Sequence, residues 1–268
     1  MPLRPPAVAG TFYPGRADAL RRDLDGLIPV APKERAHAVI VPHAGYVYSG
    51  RVAGAVYARV EVPRDVVLLC FNHRGHGAPY GVWPDGAWRT PLGDAPVNAD
   101  LAAGIRKAFA RAGVDEAGFL DEHSGEVQVP FLQRVRPDVR LAPVSLSVGL
   151  GELPALEAFG RALATVDGDF LVVASTDLNH YEDQASTIEK DEAAIRAIEA
   201  LDAAALREEI RRKDISMCGY APTIAAIAYG RAKGATSAKT VMHATSGDAS
   251  GDYDRVVGYA GMLIPCGS

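Results

Sequence analysis

The sequence predicts an α/β fold in which helices flank a mostly parallel or mixed central sheet. Apolar, β-branched runs that are typical of strands alternate with segments of helical periodicity along the 268 residues. Several of these runs are apolar without alternation, which is expected of strands that are covered on both faces. No linker, repeat or shift in composition marks a boundary, so we expect a single domain over residues 1–268.

The first half of the chain supplies two helices and two strands. The first helix is predicted at 17–28, because Leu20, Leu24 and Leu27 fall on one face at helical spacing. Strands follow at 36–41 and 65–71, where the runs AHAVIV and DVVLLCF carry β-branched and aliphatic side chains. Asn98 is a candidate N-cap for a helix that runs to about Arg111.

The second half continues the alternation. A helix is predicted at 123–135, in which His123, Val127 and Phe131 at four-residue spacing point toward the core. The remaining predictions are, in order, a strand at 139–144, a helix at 152–166, a strand at 170–175, a helix at 185–212 with a break near Asp202, a helix at 220–233, and strands at 240–244 and 256–264.

Charge and composition argue against several classes of function. The chain has 28 Lys and Arg against 33 Asp and Glu and no run of five like charges, so a nucleic-acid footprint or an electrostatic membrane anchor is not expected. Its apolar stretches fall short of the ~18 residues that span a bilayer, and the N-terminus has no signal-peptide core. The three cysteines lack paired spacing. We expect a soluble cytoplasmic protein with small-molecule or protein partners.

Three of the predicted strands end at short polar turns that contain or precede a histidine. His43 follows the strand at 36–41, His73 follows that at 65–71, and Asp177 and His180 follow that at 170–175. The carboxyl ends of parallel strands share one edge of the sheet, where open α/β folds bind ligands. These side chains are therefore expected to converge, although each alone is also consistent with a hydrogen-bonded loop residue.

Three further residues are candidates for the same site. His123 opens a predicted helix, where a neutral imidazole is favoured and can act as a base or donate to an oxyanion; the alternative is a capping-region histidine. Glu122 can orient a neighbouring imidazole. Cys218 directly precedes the apolar helix at 220–233, a position that favours the thiolate; the alternative is a small buried hydrophobe.

Two imidazoles and a thiolate make a three-ligand site with open positions. Such a site suits Zn(II), Fe(II) or copper, and the choice among them depends on geometry. The competing scheme is metal-free covalent catalysis by Cys218 with a histidine base. That scheme leaves two or three strand-end histidines without a role.

Ordered motifs distributed over nearly the whole chain support a more specific interpretation. They are RPPAVAGTFYP at 4–14, VPHAGYVYSG at 41–50, NH at 72–73, EHS at 122–124, STD at 175–177, MCG at 217–219, SGD at 246–248 and VGYA at 257–260. This set resembles the Memo family, whose bacterial and archaeal members are called AmmeMemoRadiSam system protein B. The family is similar in fold to class III extradiol dioxygenases, so the resemblance implies a single-domain α/β/α sandwich.

The resemblance also implies roles for individual residues. His43, His73 and Cys218 correspond to metal ligands. We favour Fe(II) as the bound ion, with copper as the first alternative and zinc as the second. His180 lies where the ring-opening enzymes keep an acid/base histidine, and Asp177 and His123 line the same pocket. We expect Asp177, like Glu122, to orient an imidazole, and His123 to bind substrate or act as a second acid/base group. The family name implies a functional association with a radical-SAM protein and an AMMECR-type protein.

The sequence departs from the dioxygenase pattern at the third ligand. The dioxygenases use a carboxylate there and this chain has Cys218, so ring cleavage does not transfer by analogy. We expect redox or dioxygenase-like chemistry on an unidentified small molecule. One alternative is a non-enzymatic scaffold that binds a peptide or protein in the cleft that corresponds to the dioxygenase active site. The other is a hydrolase that uses zinc-bound water.

Overall fold

The computed structural model describes residues 2–267, which form a large mixed sheet with helices on both faces and a small separate sheet. The strands are β1 Leu3–Arg4, β2 Ala36–Val41, β3 Asp65–Phe71, β4 Tyr80–Val82, β5 Ala87–Thr90, β6 Gly93–Pro96, β7 Gly113–Val114, β8 Arg140–Leu146, β9 Phe170–Ser175, β10 His180–Glu182, β11 Lys239–Thr245 and β12 Val256–Pro265. The α-helices are α1 Ala17–Leu27, α2 Tyr46–Arg59, α3 Ala99–Ala108, α4 Val129–Val135, α5 Leu153–Leu163, α6 Gln184–Glu199, α7 Ala203–Lys213, α8 Tyr220–Ala232 and α9 Gly247–Ser250.

The large sheet has a parallel centre and antiparallel flanks. Its strand order is β10-β12-β2-β9-β3-β8-β4-β7, with β11 paired to β12, and the neighbours β2, β9, β3 and β8 run parallel. β12 runs antiparallel to β2, and β4 runs antiparallel to β8. Strands β1, β5 and β6 form the small sheet. The carboxyl ends of β2, β9 and β3 therefore lie together at one edge.

Both faces of the central strands are covered, which explains their unbroken apolar runs. Within β3, Val67 and Leu69 pack into the core that α3, α5, α6, α7 and α8 cover. Val66 and Leu68 point to the opposite core, beneath α1, α2 and α4. All four side chains are completely buried, and burial of such a side chain contributes about 1.5–3 kcal/mol. The predicted sandwich with helices on both sides of a mixed sheet is confirmed.

Helix ends follow the capping residues that the sequence offers. Asn98 accepts a hydrogen bond from the Leu101 main chain and begins α3. Asp202 accepts from the Ala205 main chain and separates α6 from α7, so the break predicted near Asp202 is confirmed. α3 is shorter than predicted: it ends at Ala108 and does not continue to about Arg111.

Two predictions at the helix level are wrong. The segment predicted as a helix from residue 123 begins with a 3-10 turn at Glu126–Gln128 and becomes α-helical only at Val129–Val135. Helix α2 has no counterpart in the prediction, because its β-branched and glycine residues have low helix propensity. Tertiary packing stabilises α2 instead: Gly54 lets it pass so close to the Leu27 carbonyl that any Cβ would collide.

Among residues 2–267, none of the helices combines the length and the apolar composition that a membrane crossing requires.

Candidate metal centre

A cavity of about 610 Å³ opens at the carboxyl ends of β2, β9 and β3. Its lining consists of Phe12, His43, Ala44, Gly45, His73, His123, Asp177, His180, Tyr181, Ser216, Cys218, Val257 and Tyr259. The structure thus brings four histidines, a carboxyl group and a thiol together from distant parts of the chain. Glu122 lies directly behind this lining and contacts it through His73.

His43 lies at the base of the cavity, two residues beyond β2, and is almost completely buried. Its Nδ1 is 3.0 Å from the Ser175 hydroxyl, and its Nε2 is 3.3 Å from Cys218 Sγ. Burial lowers the pKa of His43 well below its ordinary value, and the neighbouring imidazoles lower it further. The ring is therefore neutral at pH 7, as a metal ligand must be.

His73 follows β3 and is fixed by Glu122. The Glu122 carboxylate accepts from the His73 main-chain N–H at 2.7 Å through Oε2, and its Oε1 lies 2.9 Å from His73 Nδ1. Burial raises the pKa of Glu122, but the hydrogen bond with His73 and the positive charge that the His73 and His123 rings carry when they are protonated outweigh burial and lower it to about 2. An ionised Glu122 can only accept, so the Nδ1 that faces it is the nitrogen that donates, and Nε2 is the ring atom left for a metal ion.

Cys218 lies in the turn before α8 and accepts a hydrogen bond through Sγ from the Asp177 main chain at 3.3 Å. Removal from water raises the pKa of its thiol, and the negative charge of Asp177 raises it further. The expected thiolate at a helix start is therefore wrong for the protein alone, because desolvation outweighs the helix terminus. A cation bound at the sulfur would reverse this balance.

Two groups of side chains have their potential ligand atoms within 4.8 Å of one another. One consists of His43, His73 and Cys218, and the other of His73, Glu122 and His123. In the second group the Glu122 carboxylate already has hydrogen-bond partners, because Oε1 accepts from the Ser124 main chain at 2.7 Å in addition to its contact with His73. Its two oxygens satisfy donors of His73 and Ser124, which makes Glu122 an orienting group for His73 rather than a free ligand.

His123 reaches the cavity from a turn and not from a helix, which corrects the predicted core-facing orientation. Its ring stacks on His73 at a centroid distance of 4.6 Å and contacts the Phe12 ring at 4.8 Å. Burial lowers its pKa to about 4. The imidazole is neutral as expected, but desolvation rather than a helix terminus is the main cause.

His180 and Asp177 complete the wall beside Cys218. His180 begins β10, burial lowers its pKa, and its Nδ1 is buried without a hydrogen-bond partner within residues 2–267. Burial raises the pKa of Asp177 to about 7. Asp177 Oδ1 accepts from the His43 main-chain N–H at 2.7 Å, while Oδ2 is 3.9 Å from His43 Nε2. The partner of the His43 ring is thus Ser175 and not Asp177.

Sequence reasoning missed several contributors to the site, and three of them lie against the imidazoles or their hydrogen-bond partners. Ser175 and Gln128 lie behind His43, and Phe12 forms part of the cavity wall. Ser175 belongs to the motif STD at 175–177 and Phe12 to the motif at 4–14, but nothing in the sequence showed which ring each contacts. Arg74, a residue of the turn after His73, is exposed and does not line the cavity.

Comparisons with known proteins agree on one family. The family model described as "Memo-like protein" matches residues 4–263. A "MEMO1 family protein" of Aquifex aeolicus is 41% identical over 269 residues, which covers 98% of this chain and 100% of the relative. A "MEMO1 family protein" of Thermotoga maritima is 41% identical over 281 residues, covering 97% and 99%.

A solved structure adds independent support for the fold. A crystal structure of an uncharacterized protein from Escherichia coli superposes with a TM-score of 0.57 at 14% identity. The match covers 84% of this chain and 98% of that chain. At this identity the likeness concerns the fold alone.

Proposed function

The chain belongs to the Memo-like protein family, and on this premise we propose that it binds one transition-metal ion at His43, His73 and Cys218 and performs metal-dependent redox chemistry on a small molecule. The observation that carries the proposal is the approach of these three potential ligand atoms to within 4.8 Å of one another beside the cavity. Fe(II) is the ion that we favour on the family resemblance, followed by copper and then zinc.

The donor set fits such an ion. Metal bonds of about 2.3 Å to sulfur and about 2.0 Å to nitrogen allow the 3.3 Å separation of Cys218 Sγ and His43 Nε2. A neutral, buried His43 is ready to coordinate without losing a proton. The raised pKa of the Cys218 thiol makes an unpaired thiolate costly at this position. A metal cation supplies the positive charge that the thiolate needs.

The protein side chains around this set can bind and orient a substrate and move protons. A bound metal ion supplies a Lewis-acid and redox centre. His180 is neutral, since burial lowers its pKa, and it can accept a proton from a molecule in the cavity. His123 can hold the same molecule by a hydrogen bond. Asp177, with a pKa of about 7, can carry a proton at neutral pH.

Metal analysis of protein purified anaerobically and without chelators tests the proposal. We expect close to one Fe or Cu per chain in the wild type and its loss in both His43→Ala and Cys218→Ala, because each variant removes a ligand. Cys266→Ser and His76→Ala are matched controls, since both side chains lie outside the cavity lining, and they should retain the metal. Wild-type protein without metal, or metal retained by Cys218→Ala, would overturn the site. Zinc alone would overturn the redox assignment.

Glu122→Gln is expected to weaken metal binding by about 10–100-fold, the usual effect of losing an orienting partner. Glutamine removes the charge that keeps the His73 proton on Nδ1, while it leaves all three ligands in place. Competition with a chelator of known affinity measures the change. Glu157→Gln, at a partly exposed ion pair with Arg161 outside the cavity lining, is the control and should bind the metal as the wild type does. Equal affinities for Glu122→Gln and the control would contradict the orienting role.

A further inference from the structure

A buried chain of hydrogen bonds runs behind His43. Tyr57 donates its hydroxyl proton to Gln128 Oε1 at 3.0 Å. Gln128 Nε2 donates to the Pro42 carbonyl at 2.9 Å and lies 3.0 Å from Ser175 Oγ. Ser175 Oγ in turn lies 3.0 Å from His43 Nδ1. Gln128, Ser175 and Tyr57 are completely shielded from solvent, so water does not replace a missing partner.

The direction of each hydrogen bond can be derived from the chemistry of its partners. The Pro42 carbonyl can only accept, so the Gln128 atom that faces it is the amide nitrogen. The same nitrogen then donates to Ser175 Oγ. Ser175 has a single hydroxyl proton and gives it to the Ser124 carbonyl at 2.5 Å. Ser175 is therefore left only with lone pairs for His43, and the proton between them belongs to His43 Nδ1.

We propose that Ser175 and Gln128 are positioning residues that hold His43 as its Nδ1–H tautomer. Moving the proton to Nε2 would require the Ser175 hydroxyl to donate to Nδ1, which would leave the buried Ser124 carbonyl without its partner. The Nδ1–H form is therefore favoured by about tenfold or more, as follows from the cost of a buried unsatisfied group. The Nε2 lone pair then faces Cys218 Sγ at 3.3 Å.

The same short segment of chain controls both imidazoles. Glu122 fixes the proton of His73 directly. Ser124, through its carbonyl, and Gln128, through its amide, fix the proton of His43 by way of Ser175. Residues 122–128 thus set the direction of both ring lone pairs. The consequence for metal binding rests on the proposed function, whereas the tautomer itself does not.

Nitrogen-15 NMR of the metal-free protein, labelled at its histidines, tests the tautomer directly. The signals of His43 are assigned by their loss in His43→Ala. We expect the wild type to show a protonated Nδ1 and an unprotonated Nε2 for His43. Ser175→Ala should weaken this preference, since the hydroxyl that accepts the Nδ1 proton is lost, and should bind Zn²⁺, a redox-inert probe, about 10–100-fold more weakly.

Tyr57→Phe is the matched control in the same network. It removes one hydrogen bond, but the Pro42 carbonyl still fixes the Gln128 amide, so the His43 tautomer and Zn²⁺ affinity should not change. A wild-type His43 protonated on Nε2, or Ser175→Ala with the Nδ1 preference intact, would overturn the inference. The wild-type spectrum decides even where Ser175→Ala does not fold. Wild-type protein that shows the Nδ1–H form and binds no metal would support the inference and refute only the proposed function.

Discussion

Replacing Arg4 with methionine is expected to lower the free energy of unfolding by about 3–5 kcal/mol, the usual cost of removing one partner from a buried ion pair. The Arg4 side chain is completely buried, and its Nη1 is 2.7 Å from Glu126 Oε2. Its remaining donors bind the carbonyls of Phe119 and Glu122 at 2.8 and 2.5 Å. Methionine fills much of the same volume but leaves the Glu126 carboxylate buried without its counter-charge.

The loss of stability in Arg4→Met should involve more than one contact, because the Glu126 carboxylate binds the N-terminal segment to the rest of the protein. Its carboxylate also accepts from the main-chain N–H groups of Ala7 and Val8 and from the Tyr13 hydroxyl, each within 2.9 Å. Glu126 lies within residues 122–128, the segment that orients the imidazoles. Arg4→Met is therefore expected to weaken metal binding as well, although Arg4 does not line the cavity.

Urea denaturation at pH 7 measures the effect, provided that the slope against urea concentration is unchanged. Arg89→Met is the matched control, because Arg89 pairs with Asp94 at 2.7 Å while both side chains remain about half exposed. An exposed pair contributes about 0–1 kcal/mol, so this variant should be nearly as stable as the wild type. Similar losses of unfolding free energy in Arg4→Met and Arg89→Met would show that the buried ion pair stabilises the fold no more than the exposed one.

The central sheet and the edge that bears the site were predictable because both depend on short-range signals. The predicted strands at 36–41, 65–71 and 170–175 match β2, β3 and β9, since burial on both faces demands unbroken apolar runs. Once those strands are parallel, their carboxyl ends meet, and His43, His73 and Asp177 meet with them. Helix α2 could not be predicted, because packing against the sheet overrides its weak propensity.

The partners of the imidazoles depend on contacts between distant segments and left no local signal. Ser175 and Gln128 are 47 residues apart, and both lie more than 80 residues from His43. Helical spacing was misleading at His123, where the pattern with Val127 and Phe131 continues across a turn. A thiolate was predicted at Cys218 from its position before a helix. Desolvation, which raises the pKa of the thiol, depends on the folded structure and could not be read from the sequence.

In metal-free protein, Asp177→Asn is expected to be more stable than the wild type by a margin that grows with pH and reaches up to about 4 kcal/mol near pH 8. Burial raises the pKa of Asp177 from an ordinary 3.8 to about 7 in the folded protein. Between these values the unfolded state has released the Asp177 proton and the folded state retains it. The contribution of Asp177 to the stability of the wild type therefore falls as pH rises, by about 1.4 kcal/mol per pH unit, and this fall ends above pH 7.

Asparagine does not ionise, and its carbonyl can still accept the hydrogen bond from the His43 main chain. The difference in unfolding free energy between variant and wild type thus cancels the contributions of titrating groups that do not interact with Asp177. Urea titrations in a chelator at several pH values between 4 and 8 provide this difference. A margin that stays constant over this range would mean that Asp177 is ionised throughout, and that it carries no proton at neutral pH.

Asp183→Asn provides a control without this pH dependence. Asp183 is an exposed N-cap whose pKa the Ser186 hydroxyl and main chain hold below its ordinary value. Its ionised form stabilises the fold, and that stabilisation is lost only as pH falls below about 4, so this variant should be less stable than the wild type by a nearly constant amount between pH 4 and 8. A growing margin for Asp177→Asn beside a constant difference for Asp183→Asn would separate desolvation at the cavity from ordinary capping. This pair of results would also assign the proton held beside Cys218 at neutral pH to the Asp177 carboxyl group.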